Sequence, residues 1–138
     1  MRAQLMAGLM ATAILGTWLP LAAGAGPGQF DDYTGRDLYA RFCASCHGGT
    51  AHGDGPVAAA LSVMVPDLTR LQRAGADFPE QRVRRAIDGR SVHAAHGSRS
   101  MPVWGEALVA EEGGDEAAEA AVNRMLDKLV TYLRSIQR

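Results

Sequence analysis

The chain has 138 residues, of which 47% are hydrophobic and only 6% aromatic, a size and composition that suit one small folded domain. Its 14 basic and 15 acidic residues give a formal net charge of −1 at pH 7. The basic residues cluster only in the stretch RRAIDGR, where Asp88 interrupts them. The chain therefore lacks the concentrated positive surface that nucleic-acid binding requires, and we expect no nucleic-acid partner.

The first 33 residues divide into an apolar run and a short spacer. The run LMAGLMATAILGTWLPLAAGA follows Arg2 and ends in small residues, which is typical of a secretory signal. We predict a signal peptide over residues 1–25 and export from the cytoplasm. Because the run is also long enough to cross a bilayer, an uncleaved N-terminal anchor is the alternative. The glycine-rich spacer predicts a flexible lead-in over residues 26–33.

After the spacer come signals for two helices separated by a glycine-rich loop. Thr34 and Asp37 can form a capping box for a first helix, which leads to the sequence CASCH. The stretch GGTAHGDG contains too much glycine for regular structure, and PVAAALSVM then predicts a short helix opened by Pro56. Met64, at the end of that helix, is expected in the core.

The second half of the chain predicts two further helices with a long loop between them. DFPEQRVRRAIDG predicts a helix of about ten residues that ends at Gly89. RSVHAAHGSRSMPVWG has no clear period and predicts a loop, whereas DEAAEAAVNRMLDKLVTYLRSIQR predicts a long amphipathic helix with Met125 near its apolar face. Since no stretch alternates with period two, we predict an all-α domain over residues 34–138.

The only two cysteines lie in the pattern CxxCH, as Cys43, Cys46 and the adjacent His47. A dithiol redox site belongs in a βαβ setting that these helical signals do not provide, and a structural disulfide leaves the histidine unexplained. A zinc site needs further ligands, and the remaining histidines lack zinc-finger spacing. CxxCH is the signal for covalent attachment of haem c. Both sulfurs then lie on one helix face, where they can form thioethers, and His47 is the predicted proximal ligand.

The ligand on the other face of the iron decides between electron transfer and reactions with gases or peroxide. Met101 lies in the long loop before Pro102, rather than on the packing face of a helix. We predict Met101 as the distal ligand. His93 and His96, a few residues upstream, are the alternative ligands.

These stretches, with GDGP, PDLT, MPVWG and LVTYLRSI in the same order, resemble the small monohaem class I cytochromes c of bacteria. The resemblance covers about Thr34 to Ser135. It implies four to five helices around one covalently attached haem c, with the N- and C-terminal helices crossing beside it. It also implies a proline carbonyl behind the proximal histidine, for which Pro56 is the candidate, although a helix-opening proline has the same pattern. Trp104 is a candidate for packing against the haem, with a core anchor as the alternative.

With both axial positions filled, the iron changes oxidation state without making or breaking a substrate bond. The resemblance then implies a periplasmic one-electron carrier rather than an enzyme. Its partners would be a cytochrome complex, dehydrogenase, oxidase or reductase of a respiratory chain, with membrane contact only through them or through an uncleaved N-terminal segment. The alternatives are a haem-binding sensor or peroxidase-like enzyme with a labile sixth ligand, and a cytochrome subunit of a larger oxidoreductase complex. Because Lys128 is the only lysine, we expect docking through a partly apolar rim.

Overall fold

A computed structural model describes residues 28–91 and 100–138, and within these ranges the chain forms helices and no strand. The all-α prediction is therefore confirmed. In chain order the helices are α1 (Gly35–Phe42), α2 (Ala44–His47), α3 (Glu80–Asp88), α4 (Trp104–Glu111) and α5 (Glu116–Ser135). Two short 3₁₀ helices, Ala58–Ala60 and Leu68–Arg70, lie between α2 and α3.

Two predictions concern residues outside the described ranges. One is the signal peptide over residues 1–25, with its alternative of an N-terminal anchor, and the other is the pair of alternative ligands His93 and His96. In the part of the chain that the structure describes, no helix has the length and apolarity needed to cross a membrane.

Helix α1 begins where the sequence predicts because Thr34 and Asp37 form the capping box. The Asp37 N–H donates to Thr34 Oγ1 over 3.2 Å, and the Thr34 N–H donates to the Asp37 carboxylate over 3.0 Å. The helix then packs across α5 with Gly35 at the point of closest approach, where an added Cβ would overlap the Lys128 carbonyl oxygen. The predicted crossing of the N- and C-terminal helices is confirmed, and a glycine permits it.

The core lies along the inner face of α5. The side chains that this helix buries most completely, each at most 3% exposed, are Ala118, Ala121, Val122, Met125, Leu126, Leu129 and Leu133. Met125 is thus a core residue, as predicted. Met64 is not, because it is 92% exposed. The predicted helix of PVAAALSVM is reduced to the 3₁₀ turn Ala58–Ala60, so no helix face forms that could bury this side chain.

The predicted flexible lead-in over residues 26–33 stays a prediction, but the structure packs part of it, residues 28–33, against the core. Phe30 is 2% exposed, and its ring lies edge-on to the Phe42 ring with the centroids 5.3 Å apart. The Glu112 carboxylate also accepts hydrogen bonds of 2.8 and 3.3 Å from two backbone N–H groups of this segment. The glycines of the spacer gave no sign of this contact, which depends on one aromatic side chain that is buried in the core.

The third and fourth helices bring the two ends of the long loop together. Helix α3 ends at Gly89, which has φ +75°, as the sequence predicts. Helix α4 was not predicted, because the stretch up to Gly105 has no clear apolar period. Gly105 lies so close to the end of α3 that a Cβ would overlap the Asp88 carboxylate. The segment that carries Met101 therefore returns to the core through α4.

Candidate haem-binding site

Cys43, Cys46 and His47 occupy a single helical turn directly after α1. The His47 N–H donates to the Cys43 carbonyl over 2.9 Å, and α2 ends at Gly48, which has φ +82°. Both cysteines are free thiols of intermediate exposure. Burial raises the pKa of the Cys43 thiol to about 12, and the neighbouring Cys46 adds a smaller effect in the same direction. One turn therefore brings together the two sulfurs and the imidazole that the CxxCH pattern requires.

A backbone carbonyl fixes the imidazole of His47. The side chain is 8% exposed, and its Nδ1 lies 3.2 Å from the Pro66 carbonyl oxygen. With Nδ1–H as the donor, the lone pair of Nε2 is the one available to a metal. Burial lowers the pKa of His47, while the hydrogen bond to Pro66 opposes that effect, so the neutral form is favoured. The proline carbonyl behind the histidine is that of Pro66 and not, as predicted, that of Pro56.

The glycine loop determines which proline reaches the histidine. Gly53 has φ +81°, and a Cβ there would overlap the Val65 carbonyl oxygen, so the chain before Pro66 passes directly over the loop. The Gly53 N–H also donates to the His47 carbonyl over 2.8 Å. Pro56 directly follows the last residue of the loop, Gly55. The N–H of the next residue, Val57, donates to the Ser45 carbonyl of α2 over 2.9 Å. Both prolines follow the loop in sequence, and only the path of the chain distinguishes them.

A cavity of about 450 Å³ lies against His47. The larger aliphatic side chains of its lining are Leu68, Leu71, Val83, Ile87, Leu129 and Leu133. Cys43, His47 and Met101 line the same cavity, whereas Cys46 is not among its lining residues. The structure thus brings both predicted axial ligands and one of the two cysteines to one space, whose volume lies in the range of cofactor sites, about 300–1,000 Å³.

The donor set and the lining of this cavity fit a covalently attached haem. A neutral imidazole, a thioether and a cysteine thiol face a space whose remaining walls are largely aliphatic. Three guanidinium groups, of Arg70, Arg73 and Arg82, also line it and would neutralise the carboxylates of a bound haem. Arg70 and Arg73 lie three residues apart in the chain, whereas Arg82 belongs to α3, so only the packed chain brings all three to one cavity.

Trp104 does not line the cavity. Its ring centroid lies 5.5 Å from that of Phe42, which in turn packs against Phe30. The tryptophan begins α4 and extends an aromatic row between α1, α4 and the N-terminal segment. This packing agrees with the core-anchor alternative, and contact with the haem stays a prediction.

Comparison with known proteins gives a family match over most of the chain. Residues 31–123 match the family model described as cytochrome c oxidase, cbb3-type, subunit III. No curated protein and no solved structure matches the chain. The matched range contains the CASCH turn, the glycine loop, both prolines and Met101.

Proposed function

We propose a function from the premise that this chain belongs to the family of cytochrome c oxidase, cbb3-type, subunit III, and is a small c-type cytochrome. Its single CxxCH motif accounts for one covalently bound haem c. When bound, that haem supplies a one-electron couple, and the protein supplies its ligands, its enclosure and its docking surface. Haem-based electron transfer is therefore the chemistry of this protein.

The specific function that we propose is a periplasmic one-electron carrier with His47 and Met101 as axial ligands. The observation that supports it is the single cavity that both side chains line. With a haem bound, these two residues would hold the iron and would leave no position for a gas or a substrate, which favours a carrier over an enzyme. The Pro66 carbonyl holds the imidazole in one orientation, and aliphatic side chains form most of the cavity wall beside it.

The proposed location and partners rest on the sequence and on the family. The apolar run after Arg2 supports export, and attachment at CxxCH suits an exported chain. We propose redox proteins of a respiratory chain as partners, with a cytochrome complex or dehydrogenase as donor and an oxidase or reductase as acceptor. The match is to a family of oxidase subunits, which supports an oxidase as the acceptor.

The family match also favours a second candidate, a subunit of a cbb3-type oxidase complex. In that case the same one-electron chemistry serves one fixed neighbour, and an uncleaved N-terminal run would tether the chain to the membrane. Mild extraction of the expressing cells separates the two candidates. A chain recovered alone supports the carrier, and a chain recovered at fixed ratio with membrane subunits supports the complex.

Optical spectroscopy of the purified holoprotein tests the distal ligand. The ferric protein is expected to show the weak long-wavelength band of methionine bound to ferric iron, and Met101→Ala is expected to abolish it. Met64→Ala is the matched control, because Met64 is 92% exposed and does not line the cavity. A wild-type protein with a high-spin ferrous spectrum and ready uptake of carbon monoxide would contradict the carrier and favour the sensor or peroxidase-like enzyme.

A further inference from the structure

The exposed apolar side chains of the described residues are concentrated in one short segment. The large ones are Val57 at 42%, Val63 at 43% and Met64 at 92% exposure. All three lie in residues 56–65, PVAAALSVMV, which we call the apolar segment. It contains no charged residue, although 21% of the chain is charged. Exposed apolar side chains that cluster in this way mark interaction sites on proteins.

The apolar segment lies directly against the turn that binds the haem. The Val57 N–H donates to the Ser45 carbonyl over 2.9 Å, and the Gly55 N–H donates to the Cys46 carbonyl over 3.1 Å. A Cβ on Gly55 would overlap the backbone of that turn. At its other end the segment is held by Val65, whose carbonyl passes over the glycine loop. A molecule bound to the exposed side chains would therefore lie next to the haem attachment site.

The chemistry and the size of the segment indicate which kind of molecule binds to it. Segments that lie on lipid carry lysine or arginine beside their apolar residues and tryptophan or tyrosine at headgroup level, and this segment has none of these. A stable second copy would need about 20–30 residues on each side, at least twice the length of the segment. Transient redox complexes form the smallest class of interface, and an uncharged surface fits an uncharged partner surface.

Building on the proposed function, we propose that residues 56–65 are the docking surface for a redox partner protein whose contact surface, around its own redox centre, is apolar and uncharged. In this complex one electron passes from the reduced centre of the partner, which is oxidised, to the ferric iron, which becomes ferrous. No bond forms or breaks. The expected apolar rim is thereby assigned to one segment, with Met64 as its most exposed side chain.

The test measures the second-order rate of electron transfer to the ferric holoprotein by stopped flow. The probe is a reduced blue-copper protein with an uncharged apolar surface over its copper site, and ascorbate is the small reductant that needs no docking surface. Met64→Glu places a charge in the segment, and Val63→Glu is a second variant. The matched control, Ala120→Glu, adds the same charge at an exposed position of α5, about 13 Å along the helix from the cavity residue Leu129.

We expect Met64→Glu to slow the reaction with the copper protein by about tenfold or more, because the new carboxylate must lose water in the complex. The rate with ascorbate and the midpoint potential should stay unchanged, and Ala120→Glu should remain within about twofold of wild type. The wild-type rate with the copper protein should change little with added salt.

Four other results would each overturn a defined part of this account. A Met64→Glu rate within about twofold of wild type refutes the docking surface and leaves the proposed function standing. A wild-type protein that ascorbate cannot reduce and ferricyanide cannot reoxidise refutes the proposed function itself. If Met64→Glu slows electron exchange between two copies of this chain but leaves the rate with the copper protein unchanged, the segment is a contact for a second copy and not for the partner. If the wild-type protein binds uncharged lipid vesicles and Met64→Glu abolishes this binding, the apolar segment is a membrane contact.

Discussion

Replacing Gly53 with alanine is expected to move the Pro66 carbonyl away from His47 and to raise the midpoint potential of the haem. Gly53 has φ +81°, and a Cβ there would overlap the Val65 carbonyl oxygen. Ordinary van der Waals contact is restored only if the chain at residues 65–66 moves by about 1 Å. Because His47 Nδ1 lies 3.2 Å from the Pro66 oxygen, a shift of that size takes the pair beyond hydrogen-bond distance.

The size of the effect follows from two contributions. The left-handed conformation costs an alanine roughly 1–2 kcal/mol, and the lost hydrogen bond costs about 1 kcal/mol, so the free energy of unfolding should fall by roughly 2–3 kcal/mol. The hydrogen bond also makes the imidazole a stronger electron donor, which stabilises the ferric state. If the whole of that bond acts on the ferric state, the midpoint potential rises by about 40 mV, since a tenfold change corresponds to about 59 mV for one electron.

A spectroelectrochemical titration of the holoprotein measures this potential, and Gly49→Ala is the matched control. Gly49 lies in the same loop, has no atom within 4 Å of an added Cβ, and is not among the glycines with positive φ. Its alanine variant should therefore keep the wild-type potential. A Gly53→Ala potential within about 5 mV of wild type, in a protein that shows the expected loss of stability, would refute the positioning role of the glycine.

Two further predictions concern helix α1. Gly35→Ala is expected to lower the free energy of unfolding by about 1–3 kcal/mol, because the new methyl group would overlap the Lys128 carbonyl. Urea unfolding of Gly35→Ala, with Gly49→Ala as the control, checks this. An unfolding midpoint unchanged from wild type would contradict the close helix crossing. Asp37→Asn is expected to cost stability near neutral pH and little in strong acid. The hydrogen bonds to Thr34 lower the pKa of Asp37, so its carboxylate stabilises the fold above the unfolded pKa, and this contribution is lost as the pH falls through the lowered value. Equal destabilisation in urea at about pH 6 and about pH 2 would contradict this account.

The amino-acid sequence by itself determined the features that depend on near neighbours in the chain. The capping box of Thr34 and Asp37, the end of α3 at Gly89 and the amphipathic α5 were all predicted, because caps and helical period act over a few residues. The CxxCH turn belongs to the same class, since the three residues that carry its chemistry lie within five consecutive positions of the chain. The signal peptide, the location and the ligation by Met101 remain predictions.

Only the tertiary structure decided which distant segments meet. Pro56 and Pro66 follow the same loop, and the passage of the chain over Gly53 places the second of them against the histidine. Phe30 is buried because the Phe42 ring of α1 packs against it, and Met64 is exposed because its segment forms no helix with a face to bury. Burial and backbone hydrogen bonds between residues far apart in sequence depend on the packed path of the whole chain, which local propensity does not specify.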